Sequence, residues 1–562
     1  MKRNFSASTK LLFFNHQIIK QISCLFALLL FAASMNLKAQ TMGLMQHSSG
    51  TDDDGLVLFA PIQNGNTYLM DKCGKLIHTW SDTATPGHSV YFYPDGDLLR
   101  TSDAGNPAFL LAGHGGVIKK IDWNNNVVWS YKISDSIQCQ HHDVRLLPNG
   151  NILAVVWQKK TKAEAIANGR RPNMVGNTLN SEKIIEIQPV GTDSATIVWE
   201  WNVWDHLVQV FDSLKPNYGV IADHPELVNF NYKATVNAEW LHVNSVDYNP
   251  TFNQIMICAH NLNEIWVIDH STTTAEAASH SGGVYGKGGD LLYRWGNPLA
   301  YQHGTLADQK LFGMHNAHWI TNELPKAGKI ILFNNGISRP AGMYSSAEIL
   351  TLPYDASGVY PSTLPYGPAA QDWIYTAPVP TDFFSNNISG ATQLPNGNVL
   401  ICSGQSGTFF EVDSLKNIKW SYINPVGLSG PQTQGSNPVQ NAVFRCPSYP
   451  KTFAGFSGHT LTPGLPIEVN PLPYICDLTT SIVNPFTVNN LSNSPNPASD
   501  YVTIQTHLTN FKVQVYSVGS ELVFTGNNTN EINTKTWKAG MYFIVVCSDR
   551  GERQNSKLLI SR

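Results

Sequence analysis

Charge is scarce in this 562-residue chain: Lys, Arg, Asp and Glu make up 14 % of it, against about 25 % in an ordinary soluble protein. The 37 basic and 41 acidic residues nearly cancel, at a net charge of −4, which argues against the basic face of a nucleic-acid binder. Cysteine is sparse too. Apart from Cys24 near the N-terminus, the chain has Cys73, Cys139, Cys258, Cys402, Cys446, Cys476 and Cys547, with no C-x-x-C spacing. That argues against a zinc–cysteine site, while one disulfide, with Cys446 and Cys476 as a candidate pair, suits an oxidising compartment. Long apolar runs are missing beyond the N-terminus, so no later stretch reaches the roughly 20 residues that span a bilayer. The first 39 residues combine Lys2, Arg3, Lys10 and Lys20 with an apolar stretch over 22–33 and a small Ala39, the layout of a signal peptide.

What the chain has in quantity is turn formers and aromatics: 43 Gly, 32 Pro and 10 % Phe, Trp and Tyr. These fit a β-rich protein, and an internal repeat gives the β-structure its order. One unit reads Ile121-Asp122-Trp123-Asn124-Asn125-Asn126-Val127-Val128-Trp129, with looser copies over 70–80, 184–201, 268–295, 349–375 and 412–422. Each is followed by a second unit, in which a polar residue precedes two apolar runs joined by a turn such as Pro94-Asp95-Gly96 or Pro148-Asn149-Gly150. Asp-Gly and Asn-Gly between apolar runs signal hairpins. Two hairpins per repeat and six repeats predict an all-β fold, a six-bladed β-propeller over 40–445. Residues 446–497, rich in Pro, Ser, Thr and Asn, read as a linker, and the short alternating strands of 498–562 as a small C-terminal β-sandwich.

The second unit opens with His88, His142, His242 and His315 in four of the six repeats. In a propeller that position faces the mouth of the central channel, so equivalent phase predicts four converging imidazoles. Such a group suits proton transfer, nucleophilic attack, anion binding or metal ligation. Each histidine taken singly reads equally well as a hydrogen-bonded structural residue.

The strings His142-Asp143-Val144, Trp240-Leu241-His242-Val243-Asn244-Ser245-Val246-Asp247-Tyr248 and Met314-His315-Asn316-Ala317, the last followed by Phe333-Asn334-Asn335-Gly336, resemble bacterial arylsulfotransferases. The resemblance implies an enzyme that moves a sulfuryl group from an aryl sulfate donor to a phenolic acceptor through a sulfated histidine, with no cofactor and no metal. By motif, His315 is the nucleophile. His242 and Asn244 bind the sulfate oxygens and help protonate the leaving phenolate, and His142 is a further channel histidine, with adjacent His141 as the alternative. His88 is expected to help bind substrate. One departure stands out: where the family carries an arginine, this chain reads Ile257-Cys258-Ala259-His260-Asn261. His260 offers only a conditional charge and no bidentate fork. Arg294, Arg339 and Arg445 are the candidates to compensate, although each also reads as a structural salt-bridge partner.

Two further segments carry expectations. The insertion over 202–240 contains Trp204-Asp205-His206-Leu207 and Asp223-His224-Pro225-Glu226, which suit either metal ligation or turn capping. A lid or a wall of the acceptor pocket is the favoured reading. The tail, with Ser494-Pro495-Asn496-Pro497, Ala539-Gly540-Met541-Tyr542-Phe543 and Lys557-Leu558-Leu559-Ile560, resembles the type A sorting domain of type IX secretion cargo in Bacteroidetes. It implies passage through the periplasm to the surface or medium of a Gram-negative bacterium, with the type IX machinery as partner. Two rival functions remain beside the sulfotransferase: a non-catalytic surface propeller that binds a glycan, protein or sulfated ligand, and a metal- or quinone-dependent enzyme using the channel histidines.

Overall fold

Apolar residues alternate with polar ones along most of the repeat, and the backbone follows that period into antiparallel strands. The structure is a computed structural model that describes residues 40–235, 238–472, 476, 491–506, 508–517, 522–548 and 553–562. The expected signal peptide and residues 477–490 of the expected linker lie outside them. Among the described residues only two short α-helices occur, Lys162–Ala167 and Thr274–Ala277, each opened by a threonine capping box, so the fold is all-β. The chain divides into two units, one ending at Cys476 and the other beginning at Asp477.

The first unit contains six main antiparallel sheets. Sheet 2 comprises Pro86–Phe92, Leu98–Asp103, Gly116–Ile121 and Val127–Lys132. Sheet 3 runs through Gln138–Leu146, Ile152–Thr161, Thr178–Val190 and Ser194–Asn202, and sheet 4 through Val243–Asn249, Gln254–Ala259, Glu264–Asp269 and Tyr293–Trp295. His315–Trp319, Ile330–Asn334, Ser346–Leu350 and Trp373–Tyr375 make sheet 5, and Gly390–Gln393, Val399–Ser403, Thr408–Val412 and Ile418–Ile423 make sheet 6. The first strands of sheets 2 to 6 are neighbours in that order. In the turns Pro94-Asp95-Gly96, Pro148-Asn149-Gly150 and Pro395-Asn396-Gly397 the glycine takes φ of 89°, 85° and 88°, a conformation that a Cβ disfavours.

The tryptophans of the repeat explain its spacing. Trp80, on the last strand of sheet 1 (Gly55–Phe59, Asn66–Met70 and Leu76–Ser81, with Ser448–Pro450), donates its indole N–H to the Asp122 carbonyl of sheet 2 at 3.0 Å, and Trp129 of sheet 2 reaches Ser194 of sheet 3 at 2.9 Å. Trp199 and Trp201 of sheet 3 reach Thr272 and Gly289 beside sheet 4, and Trp295 of sheet 4 reaches Pro368 beside sheet 5. Trp420 of sheet 6 returns to the Lys72 carbonyl of sheet 1 at 2.6 Å. Trp373 of sheet 5 is the exception, its indole nitrogen buried with no such partner. A sequence repeat therefore straddles two sheets: its tryptophan half ends one and its hairpin half begins the next.

Both ends of the unit are woven into the sheets. Gly43–His47 pairs with Ile418–Ile423 on the outer edge of sheet 6. Sheet 1 takes Gly55–Phe59, Asn66–Met70 and Leu76–Ser81 from the start of the chain, and its remaining edge is Ser448–Pro450, paired with Gly55–Phe59. The linker expected from residue 446 is thus corrected. Prolines at the ends of a three-residue edge strand are tolerated, although their composition reads as loop. The disulfide expectation is corrected as well: Cys476 bonds Cys73 on sheet 1, 403 residues away, and Cys446 is a free buried thiol.

In the second unit, Ser492–Ser494, Tyr501–Gln505 and Glu531–Asn533 form one sheet and Leu522–Asn527, Phe511–Ser517, Gly540–Ser548 and Arg553–Ile560 another. Val502, Ile504, Ile532, Val513, Val515, Ile544, Val546 and Leu558 from the two sheets share one buried core.

Because the Cys73–Cys476 bridge closes so long a loop, Cys73→Ser lowers the stability of the first unit by roughly 2–5 kcal/mol. Denaturant titration checks this: the wild type in reductant should follow the variant, and identical midpoints for oxidised wild type and variant would mean that the bridge contributes nothing.

Candidate active site

Where the first strands of sheets 2 to 5 begin, five imidazoles stand in a continuous row. Ring centroids are 5.3 Å apart from His88 to His142, 4.5 Å from His142 to His242, 4.9 Å from His242 to His260 and 5.1 Å from His260 to His315. Phe444 closes the group from another side, its ring 5.0 Å from His88, 6.1 Å from His142 and 6.4 Å from His315. The four phased histidines therefore converge, but not by equivalent register. In sheets 2 and 3 three residues bulge opposite one on the partner strand, and His88 and His142 are the middle of the three. In sheets 4 and 5 two residues bulge opposite one, His315 pairs with Phe333 just before them, and His242 precedes the first pair. The rings meet because the strand entries bend. His88, His142 and His242 take φ of 94°, 50° and 54°, a region that costs a side-chain-bearing residue energy and that clusters at functional sites.

Hydrogen bonds fix the tautomers. Asn335 spends both amide hydrogens on the Ser385 and Ile388 carbonyls, so its oxygen, 2.7 Å from His315 Nδ1, must accept a proton from that nitrogen. His315 thus carries its hydrogen on Nδ1 and an unshared pair on Nε2. Asn261 does the same for His260, with its amide on the Trp240 carbonyl and its oxygen 3.0 Å from His260 Nδ1. His242 Nδ1 is bonded to the Glu239 carboxylate. Behind His142 runs a short wire: His142 Nδ1 to His141 Nδ1 at 2.9 Å, then His141 Nε2 to Glu182 at 2.7 Å. The His141 ring is stacked on Trp157 at 3.9 Å.

Burial sets the charge of this group. Desolvation, reinforced by neighbouring imidazoles, holds His315, His142 and His141 well below the usual histidine range and brings His88 and His260 down to about 3. The same desolvation pushes the Glu182 carboxyl up to about 8. His315 and His142 are each only 2 % exposed. Gly113, at φ 91°, lies against the His142 ring so closely that a Cβ would stand 1.9 Å from it, while its carbonyl accepts the His142 N–H.

Next along the same strands lies a polar layer. Arg445 bonds Asp143 at 2.7 Å, the Asn244 carbonyl at 3.0 Å and the Tyr91 hydroxyl, and its guanidinium stacks 4.5 Å from the Phe444 ring. Beyond this layer opens a cavity of about 850 Å³, lined by Arg445, Asp143, Arg145, Asp247, His318 and Trp319 among others and by none of the five imidazoles.

The remaining expected residues part ways. Asn244 sits beside the row, its amide donating to the Met314 carbonyl at 2.9 Å and its oxygen buried without a partner among the described residues. Arg339 stacks on Phe312 and Tyr344 and bonds Ser346, touching none of the imidazoles. Arg294 as a substrate ligand is a correction: it is fully buried, forks onto Glu264 and donates to the Pro225 and Leu227 carbonyls. Those bonds use four of its five N–H groups in the interior and anchor the 202–240 insertion. Sequence reasoning missed Glu182, Glu239 and Phe444. Asn335 and Asn261 lay in strings already singled out, but without a role.

A family model for the secretion system C-terminal sorting domain matches residues 494–561, and the tail marks the chain for export to the surface or medium. Among solved structures, a protein of unknown function from Bacteroides caccae aligns at 11 % identity over 70 % of this chain and 98 % of that one, with a TM-score of 0.37. PorZ, a surface component of the type IX secretion system of Porphyromonas gingivalis, aligns at 12 % over 92 % and 51 %, with 0.27. An inactive virginiamycin B lyase from Staphylococcus aureus aligns at 11 % over 69 % and 90 %, with 0.31. Likeness of this degree bears on neither fold nor chemistry, and no curated protein matches the sequence. The model of the arylsulfotransferases, by contrast, matches residues 41–425, the span that supplies all five imidazoles, and the chain belongs to the arylsulfotransferase family.

Proposed function

We propose that the six sheets close into a six-bladed β-propeller and that its histidine-lined mouth transfers a sulfuryl group from an aryl sulfate to a phenol by a ping-pong route through His315. Closure is supported by the indole bonds that link sheet to sheet and return from sheet 6 to sheet 1. The single observation that carries the chemistry is the fixed tautomer of His315, which leaves a neutral Nε2 with an available electron pair.

In the first half-reaction that pair attacks sulfur. The bond from sulfur to the aryl oxygen breaks, its electrons leave on the phenolate, and a proton from His142 or His242 neutralises it. In the second half-reaction the acceptor phenol returns a proton to the same imidazole, its oxygen attacks sulfur, and His315 is released. The wire behind His142 sets which way that proton moves. A neutral Glu182 donates to His141 Nε2, His141 then donates from Nδ1 to His142 Nδ1, and His142 presents N–H on Nε2. An ionised Glu182 accepts instead, and every proton along the wire shifts by one place. The Glu239 carboxylate bonded to His242 Nδ1 orients that ring and suits it to grip the sulfuryl oxygens beside Asn244. The aryl ring then meets the apolar wall offered by Phe444. No cofactor enters this route.

One observation favours a second reading, a mouth that binds a sulfated ligand without turning it over. His260, at the family's arginine position, is neutral, and the Arg445 guanidinium is committed to Asp143.

His315→Ala is expected to bring transfer from 4-nitrophenyl sulfate to a phenol near the uncatalysed level, whereas His88→Ala costs on the order of 10²–10³ in rate or less. Mass spectrometry of protein quenched at alkaline pH after donor alone should find one sulfuryl group on the His315 peptide. Near-normal turnover by folded His315→Ala removes the nucleophile assignment.

With phenyl sulfate, a donor whose leaving group needs its proton, donor cleavage should fall as pH rises through about 8, where Glu182 passes from neutral to ionised. Glu182→Gln keeps a permanent donor toward His141, so its profile should stay flat across that range. The same high-pH limb in both proteins would exclude Glu182 from the proton path.

A further inference from the structure

Away from the mouth, a second group of ligating side chains meets where the segment after sheet 3 touches the long connection inside sheet 4. His206 follows the 3-10 turn Val203–Asp205, and His280 and Asp290 lie between the strands Glu264–Asp269 and Tyr293–Trp295. Nδ1 of His206 and Nδ1 of His280 each stand 2.8 Å from one and the same oxygen, Asp290 Oδ1. One ligand atom from each of the three residues lies within 4.8 Å of the others. Side-chain exposure is 0 % for His206, 8 % for Asp290 and 61 % for His280, so the group is rooted in the interior and opens to solvent through one ring.

The other nitrogen of His206 decides what can sit there. Nε2 is 2.8 Å from the Ala277 carbonyl, which has no proton to give, so Nε2 carries the hydrogen. A neutral His206 therefore turns an unshared pair on Nδ1 toward a carboxylate oxygen at hydrogen-bond distance. Two unshared pairs repel, and a cation must lie between them, either a proton on a fully buried imidazole or a metal ion. A ring that gives its second N–H to a backbone carbonyl is the usual posture of a metal-bound histidine. The second imidazole converging on the same oxygen from a different part of the chain supplies the further ligand that a proton does not need. Its ring lies 86° from that of His206, so the two lone pairs approach one point from different directions.

We infer that His206, His280 and Asp290 bind a divalent cation of the zinc class, with solvent at the open position. Two imidazoles and a carboxylate are a donor set for such an ion. Zinc bonds of about 2.0–2.1 Å in a tetrahedron place ligand atoms about 3.3 Å apart, so the 2.8 Å contacts open by about half an ångström on binding. The solvent-facing His280 has room for that movement. Binding displaces the proton that the His206–Asp290 contact otherwise requires. The ion would staple the 202–240 insertion, which also supplies Glu239 to His242, to the connection inside sheet 4, where Trp201 already bonds Gly289.

The test uses the full-length exported chain, stripped with EDTA and desalted, with zinc binding followed by calorimetry and by elemental analysis, and cobalt(II) as a spectroscopic probe. The wild type should take up one zinc per chain, gain thermal stability with it and give the visible spectrum of tetrahedral cobalt. His280→Ala, at an exposed position, and Asp290→Asn, of equal size, should each weaken binding at least about 100-fold and lose the thermal shift. A stripped wild type that takes up no zinc overturns the site. So does uptake by His280→Ala with unchanged stoichiometry and affinity, because the ion would then sit elsewhere and the cluster would hold a proton.

Discussion

A single buried ion pair, Arg445 with Asp143, holds the centre of the first unit together. Asp143 also accepts the Tyr91 hydroxyl at 2.8 Å and the Val246 N–H at 3.1 Å, while Arg445 reaches the Asn244 carbonyl. Strands of sheets 2, 3 and 4 are thereby pinned to the segment that goes on to complete sheet 1. Two charges withdrawn from water cost several kcal/mol each, and the direct contact together with the bonds to Tyr91, Val246 and Asn244 offsets that cost. Its value lies in registration. The histidines stand one to four residues earlier along the same stretches of chain, so the pair that gathers the sheets also sets where the imidazoles stand.

The histidine row works by orientation more than by charge. Packed among one another and against Phe444, the imidazoles lose hydration, and burial holds His88, His141, His142, His260 and His315 toward the neutral form. A neutral imidazole is useful only if the correct nitrogen carries the pair. Asn335 and Asn261 settle that for His315 and His260, since an amide whose nitrogen is held by backbone carbonyls turns its oxygen to the ring. The strained backbone at His88, His142 and His242 fits the same logic: side chains are aimed first, and the sheets absorb the strain.

Much of this was legible in the sequence because it repeats. Tryptophan at the end of one unit and a Pro-Asn-Gly hairpin in the next mark the sheets, and the strings around His142, His242 and His315 single out the row. What escaped depends on distance along the chain. Ser448–Pro450 has the composition of a linker, and only its partner Gly55–Phe59, some 400 residues earlier, makes it a strand. Cys73 and Cys476 are equally remote. Arg294 recurs in the repeat like a channel residue, yet its role follows from Glu264 on the neighbouring strand. The bulges that offset His242 and His315 from His88 and His142 leave no trace in residue type, and neither does the wire from Glu182.

The weaving of both chain ends into sheets 1 and 6 makes the histidine mouth a late product of synthesis. Phe444 and Arg445 complete the group, Ser448–Pro450 completes sheet 1 and Cys476 locks it, so more than four-fifths of the sequence must be present before the row can assemble. Contacts between such distant segments form slowly, because loop closure has to be met before they stabilise anything. A chain of this design, marked for export, therefore completes its histidine row only after most of it has been made, and gains the bridge that locks sheet 1 where thiols are oxidised.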